Sequence, residues 1–141
     1  MCIAAAYATI QRNGYGPVQT ARQALGKLGE DLAVRHLQKS GYVVLQRNYR
    51  CQAGEMDIVA RQGSRLVFVE VRTRRGSLFG SPKESITRRK QERLVRVANC
   101  YLQEHASRDV EWGIDAVAVR FTPRGELLGV EVIRNAVVGM G

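Results

Sequence analysis

Residues 54–72 read Gly54-Glu55-Met56-Asp57-Ile58-Val59-Ala60-Arg61-Gln62-Gly63-Ser64-Arg65-Leu66-Val67-Phe68-Val69-Glu70-Val71-Arg72. Two runs rich in β-branched and aromatic residues flank Gly63-Ser64, the pattern of two strands joined by a tight turn. A two-residue loop that begins with glycine suits a type II′ turn. With Gly63 and Ser64 as the loop, Gln62 faces Arg65, and counting outward sets Asp57 opposite Glu70 and Glu55 opposite Arg72. Side chains repeat with period two along a strand, so these four share one face.

Facing residues on an antiparallel pair have Cβ atoms roughly 4.5–5.5 Å apart, where like charges repel unless something cationic lies between them. A carboxylate pair at this spacing is how a protein builds a divalent-metal site. The competing reading makes Asp57 and Glu70 solvated residues of an exposed face, with Glu55 and Arg72 a cross-strand ion pair. The second strand argues against it. Leu66 and Phe68 share the face of Glu70 while Val67, Val69 and Val71 line the other, as in a central strand covered on both sides. A carboxylate in such surroundings needs a partner.

The chain has 141 residues, enough for one domain with a real core and too few for two of ordinary size. Residues 1 to about 20, with Gly14, Gly16 and Pro17, read as a loose leader, and 21–141 as a single domain. Twenty-two Lys and Arg against thirteen Asp and Glu give a net charge of +9. From Arg72 to Arg96 nine residues are basic and two, Glu84 and Glu92, are acidic. A basic stretch beginning at a candidate metal site suits a polyanionic partner, DNA foremost, because phosphate neutralisation dominates nucleic-acid affinity. It disfavours an acidic scaffold. Cys2, Cys51 and Cys100 are odd in number and widely spaced, which indicates neither a disulfide framework nor structural zinc. The first ten residues lack the basic leading region of a signal peptide, and no run approaches a membrane span. The expectation is a cytoplasmic protein with no membrane partner.

Leu25, Leu28, Leu32, Ala33 and Leu37 recur at helical spacing over Ala21 to Ser40, with Gly41 as a stop. Glu30 falls at the edge of that apolar arc and reaches toward the sheet; Asp31 points away, into water. His36 lies in the arc and reads as a packed core histidine. A strand from about Tyr42 to Tyr49 precedes the hairpin. A second helix is expected from Pro82 to Glu104, with Ser81 as N-cap and Glu84 completing a capping box. Its apolar face is Ile86, Leu94, Val97, Ala98 and Tyr101. Lys90 interrupts that face near its middle and is read as an inward ammonium aimed at the carboxylates; Arg93 suits either snorkelling or function. Strands from about Gly113 to Phe121 and Leu127 to Arg134 close the chain around a turn at Pro123-Arg124-Gly125. For Asp115, in the first of these, pairing with an arginine and supporting the site are both open. The order is α-β-β-β-α-β-β, an α/β fold with a central mixed sheet flanked by helices.

Leu28-Gly29-Glu30, Gly41-Tyr42, Arg47-Asn48-Tyr49-Arg50, Gly54-Glu55-Met56-Asp57, Phe68-Val69-Glu70-Val71-Arg72, Gly80-Ser81-Pro82 and Lys90 through Leu94 carry a resemblance over about four-fifths of the chain. It resembles the YraN-like bacterial family, placed with Holliday-junction resolvases and restriction enzymes in the PD-(D/E)XK nuclease-like superfamily. The resemblance implies a restriction-endonuclease-like fold. It further implies that Asp57, Glu70 and the Val71 carbonyl hold Mg²⁺, with Mn²⁺ an alternative and Glu30 assisting from the helix. Arg72 departs from the pattern, which has lysine there. Arginine cannot act as a base, though it can orient a phosphate or stabilise the transition state, and Lys90 is the candidate for the missing ammonium. Arg74, Arg75, Arg88 and Arg89 would track a nucleic-acid backbone.

The leading expectation is therefore a metal-dependent endonuclease acting on DNA, branched and single-stranded forms included. The alternatives are a catalytically weak or inactive nucleic-acid-binding protein on the same fold, and a protein-interaction module with a basic face. A resolvase would need two sites and hence a homodimer.

Overall fold

The computed structural model describes residues 19–76, 86–105 and 109–137. Its elements are α1 (Ala21–Lys39), β1 (Val43–Cys51), β2 (Gly54–Gln62), β3 (Arg65–Arg75), α2 (Arg88–Glu104), β4 (Trp112–Phe121) and β5 (Leu127–Ile133). The order matches the one read from the sequence.

The five strands form one sheet in the order β1-β2-β3-β4-β5. The hairpin register is as counted, from Gln62↔Arg65 to Ile58↔Val69. Gly63 has φ +61° and Ser64 is not among the residues with positive φ, as a type II′ turn requires. β3 then runs parallel to β4 from Leu66↔Trp112 to Arg75↔Phe121. Parallel strands need a crossover, and α2 lies in that connection.

β3 is the middle strand, and Leu66 through Glu70 are all buried. Val67 and Val69 pack with Ala33 and Leu37 of α1, together with Ile58, Val117 and Val119. Leu66 and Phe68 pack on the opposite side with Leu94, Val97 and Tyr101 of α2, together with Met56 and Val59. Alternation along one strand thus divides the core into two halves, each closed by one helix.

The first helix starts at Ala21 as expected, and the second does not start where expected. Thr20, assigned to the loose leader, caps α1: its Oγ1 accepts from the Gln23 amide at 3.1 Å, and Gln23 Oε1 accepts from the Thr20 amide at 2.9 Å. Residues 1–18 of that leader lie outside the described residues, as do Ser81, Pro82 and Glu84. α2 begins at Arg88 rather than Pro82, because Thr87 holds an extended backbone (ψ 158°) and its Oγ1 accepts from the Lys90 amide at 3.2 Å. Ile86 is buried against Ala116 and Ala136, but from the segment before the helix. His36 is half-buried and lies outside the core cluster.

Asp115 is fully buried and paired with an arginine. Arg65 Nη2 donates to its Oδ1 at 3.0 Å, the Asn135 amide donates at 2.9 Å and the Tyr42 hydroxyl at 3.3 Å. These satisfy a charge that would otherwise be costly inside the sheet.

α1 docks on β3 through Gly29, where a Cβ would overlap the Thr73 hydroxyl. Gly29→Ala should therefore cost about 1–3 kcal/mol by overpacking, read as a lowered urea midpoint. Thr73→Ala in the same chain should recover part of the loss, since it removes the group the new methyl meets.

Candidate active site

The β2–β3 ladder runs inward from the turn to Ile58↔Val69, and Asp57 and Glu70 are the next residues on each strand. The β1–β2 pairing also passes over Asp57, going from Arg47↔Ile58 to Tyr49↔Met56, with Asn48 between them at φ +53°. Asp57 thus sits where β2 has loosened from both neighbours. Its Oδ2 accepts from the Val71 amide at 2.7 Å, taking a donor that the ladder would otherwise use. The expected contribution of Val71 is its carbonyl; the amide contact is one that sequence reasoning did not foresee.

Glu70 is buried and Asp57 partly so. Burial, and after it the Glu70 charge, push the Asp57 carboxyl up to about 7; Glu30 adds to the rise, while the Val71 amide and Lys90 oppose it. The two carboxylates expected from the hairpin register are therefore close enough to repel in a poorly solvated place.

Positive charge comes from two elements. Lys90, in the first turn of α2, places Nζ 2.9 Å from Glu70 Oε1. Arg72, two residues along β3, has Nη1 at 4.0 Å from the same oxygen. The inward ammonium read from the apolar face of α2 is present. Arg93 is exposed, and a Cβ on Gly54 would meet its stem at 3.3 Å, a snorkelling arrangement. Glu55 does not face Arg72 as counted: it is exposed and lies 4.0 Å from Arg50 of β1.

On the α1 side Glu30 reaches toward the sheet, as expected. Its neighbour Asp31 is not in water. Arg47 of β1 bridges the two, with Nη2 at 3.1 Å from Glu30 Oε1 and 2.5 Å from Asp31 Oδ1. Successive helical residues diverge by about 100°, so Asp31 leaves the apolar arc, yet a long side chain from the adjoining strand still reaches it. Arg47 belongs to a segment that carries the resemblance, but nothing in the sequence signals this contact, since its partners lie 16 and 17 residues away on another element.

The basic residues divide into two groups. Arg74 is half-buried and donates to the Thr73 carbonyl at 3.0 Å. Burial lowers its pKa, and the charges of Arg72 and Arg22 lower it further. Arg75 Nε donates to the Pro123 carbonyl at 2.8 Å, tying the end of β3 to the β4–β5 turn. Arg88 and Arg89 are exposed at the start of α2, Arg88 beside Glu92 at 3.5 Å. Lys90 belongs to the same turn, and it alone of the three is seen to reach the carboxylate pair.

Among the described residues, no three His, Cys, Asp or Glu side chains gather as a ready-made metal cluster. The donors are instead a carboxylate pair, a hard oxygen set. Mg²⁺ is usually held by one or two carboxylates, keeping its remaining positions for water and substrate phosphate. The residues fit such an ion, and a cation between Asp57 and Glu70 would relieve the repulsion that raises Asp57.

The model of "Uncharacterised protein family UPF0102" matches residues 29–119, from the glycine that docks α1 to the end region of β4. The chain belongs to the UPF0102 family. A UPF0102 protein of Caldicellulosiruptor saccharolyticus is 44% identical over 115 residues, covering 82% of this chain and 98% of that protein. Another from Roseiflexus castenholzii is 47% identical over 117 residues, covering 82% and 94%. A third, from Acidothermus cellulolyticus, is 54% identical over 92 residues, covering 65% and 70%. The matched region of the family model includes Glu30, Arg47, Asp57, Glu70, Arg72 and Lys90. No described helix is long and apolar enough to cross a membrane.

A carboxyl whose folded pKa is about 7 and unfolded value 3.8 keeps its proton longer in the folded state, so its contribution to stability falls as pH rises through that window. Asp57→Asn keeps an acceptor for the Val71 amide without the charge. In the absence of divalent cations it should be more stable than the parent at pH 8, by a few kcal/mol at most. The difference should narrow as pH falls through 7 and close only below the unfolded value of 3.8, as followed by urea denaturation across pH.

Proposed function

We propose that this UPF0102 protein is a cytoplasmic, metal-dependent phosphodiesterase of the PD-(D/E)XK type that cuts DNA, with branched and single-stranded forms as the first substrates to try. The observation that carries this reading is the facing of Asp57 and Glu70 in a poorly solvated gap between β2 and β3, with the Lys90 ammonium 2.9 Å from Glu70. Asp57, Glu70 and the Val71 carbonyl would hold Mg²⁺ or Mn²⁺, with Glu30 assisting. When bound, the ion would supply a Lewis acid for the phosphoryl oxygen and lower the pKa of the attacking water.

This chain's own residues have separable tasks. Lys90 takes the place of the lysine usual at position 72, and its ammonium orients Glu70 and holds a proton beside the attacking water. Arg72 cannot exchange a proton at working pH, but its planar fork suits the oxygens of the scissile phosphate and their developing charge. Arg74, Arg88 and Arg89 hold the flanking backbone, and Arg75 keeps the end of β3 in place.

A second reading, a nucleic-acid-binding protein that does not cut, is favoured by Arg72 itself, since the substitution removes the titratable group from its usual strand. Labelled linear, single-stranded and four-way-junction DNA with Mg²⁺ or Mn²⁺ separates the two. The nuclease reading expects cutting by the parent, loss of detectable cutting in Asp57→Ala and Glu70→Ala, and at least a hundredfold loss in Lys90→Met, with salt-dependent DNA binding retained. Undiminished binding by all four proteins with no cutting by the parent would establish the binding reading instead.

A further inference from the structure

Arg47 is held on two sides. Its Nε and Nη2 donate to Glu30 Oε1 at 3.3 and 3.1 Å, and the same Nη2 donates to Asp31 Oδ1 at 2.5 Å. All three side chains are partly or largely buried, with 33% of the Arg47 side chain exposed against 13% for Glu30 and 17% for Asp31. Burial alone would make the guanidinium easier to deprotonate, but the hydrogen bonds it donates to Asp31 and Glu30, with their charges, outweigh it and raise its pKa. One guanidinium therefore fixes two successive residues of α1, and with them the rotation of that helix about its axis.

The clamp stands next to the carboxylate pair. Arg47 pairs with Ile58, the residue after Asp57, and Asn48, at positive φ, occupies the position across from Asp57 where the ladder is skipped. Both hydrogen bonds from Arg47 fall on Oε1 of Glu30, so the Oε2 atom is not engaged by the clamp. The Glu30 charge is felt at Asp57. Asp31 anchors the guanidinium, the guanidinium anchors Oε1, and Oε2 takes no part in the clamp.

We propose that Arg47 is a positioning residue: anchored by Asp31, it holds Glu30 beside Asp57 with one oxygen available, and so sets the affinity of the site for a divalent cation. This rests on the cation site proposed above, and it assigns a role to Arg47 and Asp31 that the carboxylate pair alone does not require. The sign of one substitution separates it from a simpler role. As a bare positive charge, Arg47 repels an incoming cation, and its removal would tighten binding. As a clamp, its removal frees Glu30 and weakens binding, since partners that orient a metal ligand typically contribute 10- to 100-fold in affinity.

The test is Mn²⁺ binding to the full chain without substrate, by paramagnetic resonance of free Mn²⁺, with circular dichroism to confirm folding. Arg47→Ala should raise the dissociation constant about tenfold. Arg47→Lys, which keeps the charge and loses the fork, should fall between Arg47→Ala and the parent. Glu30→Gln should weaken binding by a similar factor, and adding it to Arg47→Ala should cost little more. Parent-like or tighter binding by Arg47→Ala overturns the clamp and leaves the cation site standing. If Arg47→Ala does not fold, parent-like binding by Arg47→Lys overturns the clamp in its place. A folded parent that binds no Mn²⁺ removes the cation site and the clamp together, and is recognised because it fails before any substitution is made.

Discussion

Two carboxylates on neighbouring strands, in a place water reaches poorly, repel each other, and much of the surrounding structure supplies compensation for that repulsion. The Val71 amide turns to Asp57, Lys90 reaches in from α2 to Glu70, and Arg72 stands at a longer distance. Even so, Asp57 retains a pKa far above the ordinary carboxylate range. A site that leaves one acid poised near neutrality has an electrostatic demand still unmet, and perturbations of this kind cluster at functional sites.

Asp115 provides an internal control. It too lies within an apolar strand, and it is more deeply buried than Asp57. There the protein brings an arginine, a hydroxyl and a backbone amide to one carboxylate. The fold can satisfy a buried acid thoroughly where its purpose is to join β3, β4 and the chain after β5. Among the described residues Asp57 receives a single amide hydrogen bond and faces another acid, and stability alone does not account for that difference.

Much of this was legible in the sequence because it depends on period and turn chemistry. Gly63-Ser64 sets the hairpin register, the unbroken apolar run from Leu66 to Val69 marks β3 as the covered strand, and helical spacing places Lys90 on the inner face of α2. α2 begins later than the Ser81-Pro82 signal indicates because Thr87 keeps an extended backbone and places its hydroxyl on the Lys90 amide, a choice that local pattern alone does not make. Glu55 was misplaced because the hairpin count assumes continuous pairing, whereas the ladder reaches only to Ile58↔Val69. Arg47 was out of reach for another reason. Its partners are fixed by the packing of α1 on the sheet, and a long side chain can join two residues that the helical wheel sends in different directions.

The provenance of the charges also gives the site a history within the folding reaction. Asp57 and Glu70 come from one hairpin, a local structure that forms in about 1–10 μs in isolated examples. Lys90 comes from the crossover between β3 and β4, and parallel pairing across so long a connection carries a larger loop-closure cost. The acidic pair is therefore assembled from neighbouring sequence, while its ammonium arrives only as α2 settles on the sheet. The packing that buries Asp57 raises its pKa, and the lysine that α2 delivers opposes that rise, so completing the fold is also a titration.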